Sequence, residues 1–125
     1  MLSKTLLCGL AAGAILLALG SPAETAEAGH GKELFERRCS GCHSADLNKE
    51  GPRLRGVYGR KAAGVTGFSY SDSLKKLNIR WDDASLDKWL IDPDAMAPDT
   101  DMAFRLADGA ERKAVIAYLK SLGGQ

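Results

Sequence analysis

Two thiols and an imidazole fall within five consecutive residues, Cys39-Ser40-Gly41-Cys42-His43. A two-residue gap sets both sulfurs on one helical turn, where they can add across the two vinyl groups of a haem and leave two thioethers. The histidine directly after the second cysteine then turns its imidazole toward the iron as an axial ligand. C-x-x-C-H in this order is the c-type haem attachment pattern. Zinc would want a second pair of Cys or His ligands, and the one further histidine is His30. A redox disulfide would have no use for His43, and no βαβ pattern surrounds the motif. The residues therefore call for one haem c, covalent through Cys39 and Cys42.

The sixth iron position separates two kinds of function. Left open, it serves gas binding or peroxide chemistry; filled, it serves electron transfer. Met96 and Met102 are the downstream candidates. A lone Met is usually core filler. Met102, however, lies in Pro98-Asp99-Thr100-Asp101-Met102-Ala103-Phe104, a polar loop where apolar filler is out of place. A thioether is a soft ligand that favours Fe(II) and raises the reduction potential.

Helical signals stand at both ends of the region that must hold this group. Gly31, Phe35, Cys39 and Cys42 repeat at i, i+4, i+8 and i+11, and Val115, Tyr118, Leu119 and Leu122 at i, i+3, i+4 and i+7. Asp108 is placed to cap the second of these helices, with Gly123-Gly124 to stop it. Ser71 can cap a short helix over 72–77, and Asp82 or Asp83 another that ends near Ile91, ahead of Pro93. A glycine-rich stretch follows the motif, and a second long loop runs from Pro93 to Asp108. No alternating apolar run is long enough for a strand. Loops of this length need something to wrap around, and a large apolar cofactor supplies that core.

The chain has 125 residues. Lys4, an apolar stretch from Thr5 to Gly20 and Ala26-Glu27-Ala28 follow the pattern of a secretory signal peptide. Sixteen apolar residues rise only about 24 Å as a helix, short of a bilayer core. The expectation is a cleaved leader over 1–28 and one domain over 29–125. Such a length excludes a multidomain enzyme and a transmembrane bundle. From Gly29 to Arg80 there are 11 Lys/Arg and 5 Asp/Glu; from Trp81 to Gln125, 5 and 9. The balance excludes a nucleic-acid footprint and leaves room for a dipolar molecule that docks in a preferred orientation.

Together these segments resemble the class I c-type cytochromes, in the branch of mitochondrial cytochrome c and bacterial cytochrome c2. The resemblance runs through C-S-G-C-H at 39–43, G-P-R-L-R-G-V-Y-G-R-K at 51–61 and G-F-S-Y at 67–70. It continues through Trp81, W-L-I-D-P at 89–93, P-D-T-D-M-A-F at 98–104 and I-A-Y-L-K at 116–120. It implies an all-α fold of about four short helices around one haem, with terminal helices crossing where Gly31 and Phe35 meet Tyr118. It also implies iron ligation by His43 and Met102, with the Pro52 carbonyl accepting from the His43 ring. Arg60, Tyr70 and Trp81 become donors to the haem propionates, Thr100 a tether of the Met loop and Phe104 a seal on the haem edge.

The function implied is that of a soluble, monomeric, periplasmic one-electron carrier, not an enzyme and not inserted in a membrane. Its partners would be respiratory or photosynthetic membrane cytochrome complexes, terminal oxidases, a reaction centre or a periplasmic dehydrogenase. The alternative in another class is a haem enzyme or a gas- or peroxide-reactive sensor with a labile Met102. Four positions depart from the family pattern: Asp99 replaces a Gly, Asp101 a Lys, Trp89 a Tyr beside the Met sulfur, and Leu74 a polar residue.

Overall fold

The computed structural model describes residues 13–14 and 20–123. The apolar stretch expected as a leader, Cys8 within it, and Gly124 lie outside the described residues apart from Gly13, Ala14 and Gly20. Among the described residues five helices follow one another: α1 (Pro22–Arg38), α2 (Asp72–Lys75), α3 (Asp83–Ile91), α4 (Pro93–Met96) and α5 (Gly109–Ser121). The described residues hold no strand beyond a single antiparallel bridge between Lys61 and Arg80. None of their helices is long and apolar enough to cross a membrane.

Local capping chemistry sets most helix starts. Ser71, Asp82 and Asp108 each accept an N–H three residues ahead, satisfying a donor the first turn leaves unpaired. α4, inside the stretch expected as a loop, forms because Asp92 caps it and Pro93 fits its first turn. α1 begins earlier than the apolar periodicity suggests. Ser21 and Glu24 close a reciprocal capping box and Pro22 sits at the first helical position. The leader boundary expected at Ala28 thus falls inside α1, where Glu27 also pairs with Lys113 of α5 at 3.3 Å.

α1 and α5 pack on each other more extensively than any other pair of helices. Their contact is built around Gly31: a Cβ there would overlap the Ala114 carbonyl and stand 2.9 Å from Tyr118 Cβ. Phe35 meets the Tyr118 ring at 5.3 Å between centroids. Leu34, Phe35, Val115, Ile116 and Leu119 bury the interface. Burial of each such side chain contributes about 1.5–3 kcal/mol.

The segments between helices are tied by backbone bonds. Gly59 N–H donates to Trp81 at 2.7 Å, Trp81 N–H to Arg60 at 2.9 Å and Ala62 N–H to Ile79 at 2.9 Å. Arg112 fastens the far end of the second loop: its side chain reaches Asp87 at 2.7 Å and the carbonyls of Leu106 and Ala107 at 3.0 and 2.7 Å.

Candidate functional site

α1 ends at Arg38, with Cys39 as its C-cap. The thiols therefore stand just past the helix rather than on its face, because Ser40 and Gly41 are weak helix formers. Tight turns carry the chain on: Cys39 N–H donates to Phe35 at 2.8 Å and His43 N–H to Cys39 at 2.9 Å. Neither cysteine is in a disulfide; Cys39 is half-buried and Cys42 exposed. Burial pushes the Cys39 thiol up to about 11, against the lowering effect of Arg38.

The chain then folds back beneath His43. Gly51 N–H donates to the Cys42 carbonyl at 2.8 Å, and the His43 Nδ1 lies 2.9 Å from the Pro52 carbonyl oxygen. With Nδ1–H held there, Nε2 keeps its lone pair for a metal, the arrangement that orients ligating imidazoles. Gly51 is the cradle: a Cβ on it would run into the imidazole, 2.6 Å from Nδ1. Burial lowers the His43 pKa; the Pro52 bond opposes this and the Lys49 charge adds to it.

Cys39, Cys42 and His43 open on a cavity of about 440 Å³, within the ~300–1,000 Å³ range of cofactor sites. Its floor is apolar, with Leu54, Val57, Leu86, Leu90, Val115 and Leu119 among the lining residues. Both Met96 and Met102 pack against the core, but only Met102 lines the cavity. The Trp89 indole N–H donates to the Met102 sulfur at 3.2 Å, so the bulkier residue at this position still supplies a donor. Trp89 itself is held edge-on by Trp81, 5.4 Å between centroids.

The expected propionate donors reach the same cavity. Arg60 is half-buried and fixed by its bonds to the carbonyls of Arg53 at 3.0 Å and Arg55 at 3.3 Å. A guanidinium has five N–H donors, so others remain for a carboxylate. Burial lowers its pKa while the neighbouring Tyr70 opposes that. The Tyr70 hydroxyl accepts from Val65 N–H at 3.1 Å and keeps its own proton to donate. Trp81 is buried at the cavity wall. Thr100 also lines the cavity, and its backbone N–H holds Ala97 at 3.1 Å; among the described residues its hydroxyl has no hydrogen bond. Phe104 lies at the wall with the Arg38 guanidinium 5.8 Å above its ring.

This lining fits a haem c. Two thiols sit at one edge, an imidazole has its far nitrogen engaged, and a thioether and three donors reach an apolar hollow. The sequence reading missed Arg38 above Phe104, although a basic residue in the last turn before the motif was visible. It also missed Leu86 and Leu90 as floor residues, despite their i, i+4 spacing on α3. Were Met102 an iron ligand, the indole N–H would withdraw density from its sulfur, and Trp89→Phe would be expected to keep the sulfur–iron band of a loaded protein and lower its potential; spectroelectrochemistry reads both.

The family model for cytochrome c matches residues 28–123. The chain is similar to cytochrome c of Euglena viridis, 43% identical over 99 residues that span 77% of this chain and 97% of that protein. It is also similar to cytochrome c2 iso-2 of Magnetospirillum fulvum, 47% identical over 87 residues, 67% of this chain and 91% of that protein. Among solved structures, cytochrome cH from Methylobacterium extorquens superposes with a TM-score of 0.71 at 42% identity, covering 75% of this chain and 97% of that one.

Proposed function

Since the chain belongs to the cytochrome c family and so carries one covalent haem c through Cys39 and Cys42 as an electron carrier, we propose that His43 and Met102 are its axial ligands. We further propose that it works outside the cytoplasm, after loss of a leader, as a shuttle between redox proteins. The observation that carries this reading is the engagement of both ligands from behind. His43 is oriented by Pro52 and Met102 by Trp89, while both reach one cavity.

The haem supplies one-electron Fe(II)/Fe(III) chemistry when bound. The chain's own residues do the rest. The Pro52 carbonyl fixes the imidazole tautomer and raises its basicity. The Trp89 N–H and the apolar floor tune the potential by hydrogen bonding and by keeping water out. Arg60, Tyr70 and Trp81 would donate to the haem propionates, whose burial otherwise carries a large desolvation penalty. Cys42 is exposed and Cys39 half-buried, so a haem attached through them would be held near the surface, within reach of a partner.

Attachment is testable on denatured protein. Haem is expected to stay with the chain through acid–acetone extraction, and Cys39→Ala or Cys42→Ala to mature poorly. Extraction of the haem from the wild type would overturn the covalent link.

The surface beside the cavity has mixed sign. Arg55 is neutralised by Asp46 at 2.6 Å, and Lys75 pairs with Asp72 at 3.3 Å. Asp94, Asp99 and Asp101 are exposed, and Asp101 lines the cavity while Asp99 does not. Asp99 holds a left-handed φ of 61°, a conformation glycine adopts without strain. The double replacement Asp99→Gly with Asp101→Lys is therefore expected to fold well. It should speed electron exchange with an acidic partner at low salt, by up to about tenfold, with the gain fading above ~0.15 M. Stopped-flow rates against one acidic and one basic partner check this; unchanged rates toward both would place these carboxylates outside the docking surface.

A further inference from the structure

The segment that carries Met102 is a thin partition. Thr100, Met102 and Ala103 line the 440 Å³ cavity on one side and a second, open hollow of about 340 Å³ on the other. The hollow's further lining comes from the two ends of the same loop, among them Asp92 and Arg105. Buried Pro93, Ala97 and Leu106 anchor the flanks of this stretch, while Met102 is only partly buried against the core, so its position depends on how those flanks are held. Leu106 N–H donates to the Leu90 carbonyl at 2.8 Å. Beside that tie, the Asp92 carboxylate meets the Arg105 guanidinium at 2.9 Å, joining the residue just before the loop to one near its far end. The same Asp92 oxygen accepts the Ala95 N–H at 3.4 Å and so caps α4.

We propose that Asp92 and Arg105 form a clasp that keeps the ligand loop shut, so that this pair, outside the haem cavity, sets how often Met102 leaves the iron. They are positioning residues, acting through the loop rather than on the iron. The proposal rests on Met102 being the ligand. Both partners are partly exposed, with side-chain exposures of 32% for Asp92 and 61% for Arg105, so water and salt screen the pair and its effect is modest.

The test uses the haem-loaded, oxidised protein and imidazole as the probe. At saturating imidazole the binding rate is limited by loop opening. Asp92→Asn keeps a capping oxygen while removing the charge, and Arg105→Gln removes the other charge. Each is expected to raise the limiting rate about two- to fivefold. The double variant should go no further than either single one, and Arg105→Lys should recover part of the effect. Salt should raise the wild-type rate and leave that of the double variant unchanged, because only the former has a pair to screen. Urea midpoints followed by far-ultraviolet circular dichroism should fall by no more than the free energy that the rate change represents, because the open and the unfolded states both lack the pair. Unchanged limiting rates, singles that add in the double, or a midpoint loss well beyond the rate change would each overturn the clasp. A wild-type protein without a sulfur–iron band would overturn both the ligand assignment and the clasp; a band present with unmoved rates overturns the clasp alone.

Discussion

Replacing Met102 with alanine is expected to abolish the sulfur-to-iron charge-transfer band of the oxidised protein. It should also lower the potential by a sizeable share of the ~0.8 V that axial ligation spans. Met96→Leu should leave both nearly unchanged. The contrast follows from where the two thioethers lie. Met102 lines the cavity with the Trp89 N–H 3.2 Å from its sulfur, whereas Met96 ends α4 and fills space against the core. Losing a soft donor removes a preference for Fe(II), and alanine offers nothing in its place. An optical spectrum of each variant, followed by a potentiometric titration, checks the pair. The reverse pattern would move the ligand to Met96.

The second large effect belongs to the scaffold. Gly31→Ala is expected to cost about 1–3 kcal/mol of stability, read as a fall in the urea midpoint. The new methyl would overlap the Ala114 carbonyl on α5. Backbone cannot yield there as a flexible side-chain tip would. The helices must part, and the Phe35–Tyr118 contact and the buried Val115 and Leu119, both lining the cavity, part with them. Gly29→Ala is the control: its Cβ meets nothing within 4 Å. Equal midpoints for the two variants would contradict close packing at Gly31.

What could be read in advance follows the range of the interactions. The attachment motif and the caps at Ser71, Asp82 and Asp108 depend on residues within four positions of each other, and the sequence carries them openly. The start of α1 was equally local, since Ser21, Pro22 and Glu24 spell a capping box. Reading the segment as the end of a leader hid it. α4 was hidden by its size: a four-residue helix has no apolar period, and only Asp92-Pro93 marks it. The pairings that complete the site join distant residues. Trp89 meets Met102 across 13 positions, a neighbourhood that the family resemblance alone brought to view, and Arg112 meets Asp87 across 25. Charged side chains such as the latter two are common on helix surfaces, and nothing in a single sequence pairs them.

A spectroelectrochemical titration of the haem-loaded protein tests the electron-carrier reading most directly. The expected result is a single one-electron wave, with the sulfur–iron band present on the oxidised side. The reduced spectrum should be indifferent to carbon monoxide, as the proposed filling of both axial positions by His43 and Met102 requires. A high-spin oxidised spectrum without that band, or prompt carbon monoxide binding by the reduced protein, would contradict the account and point to an open iron site.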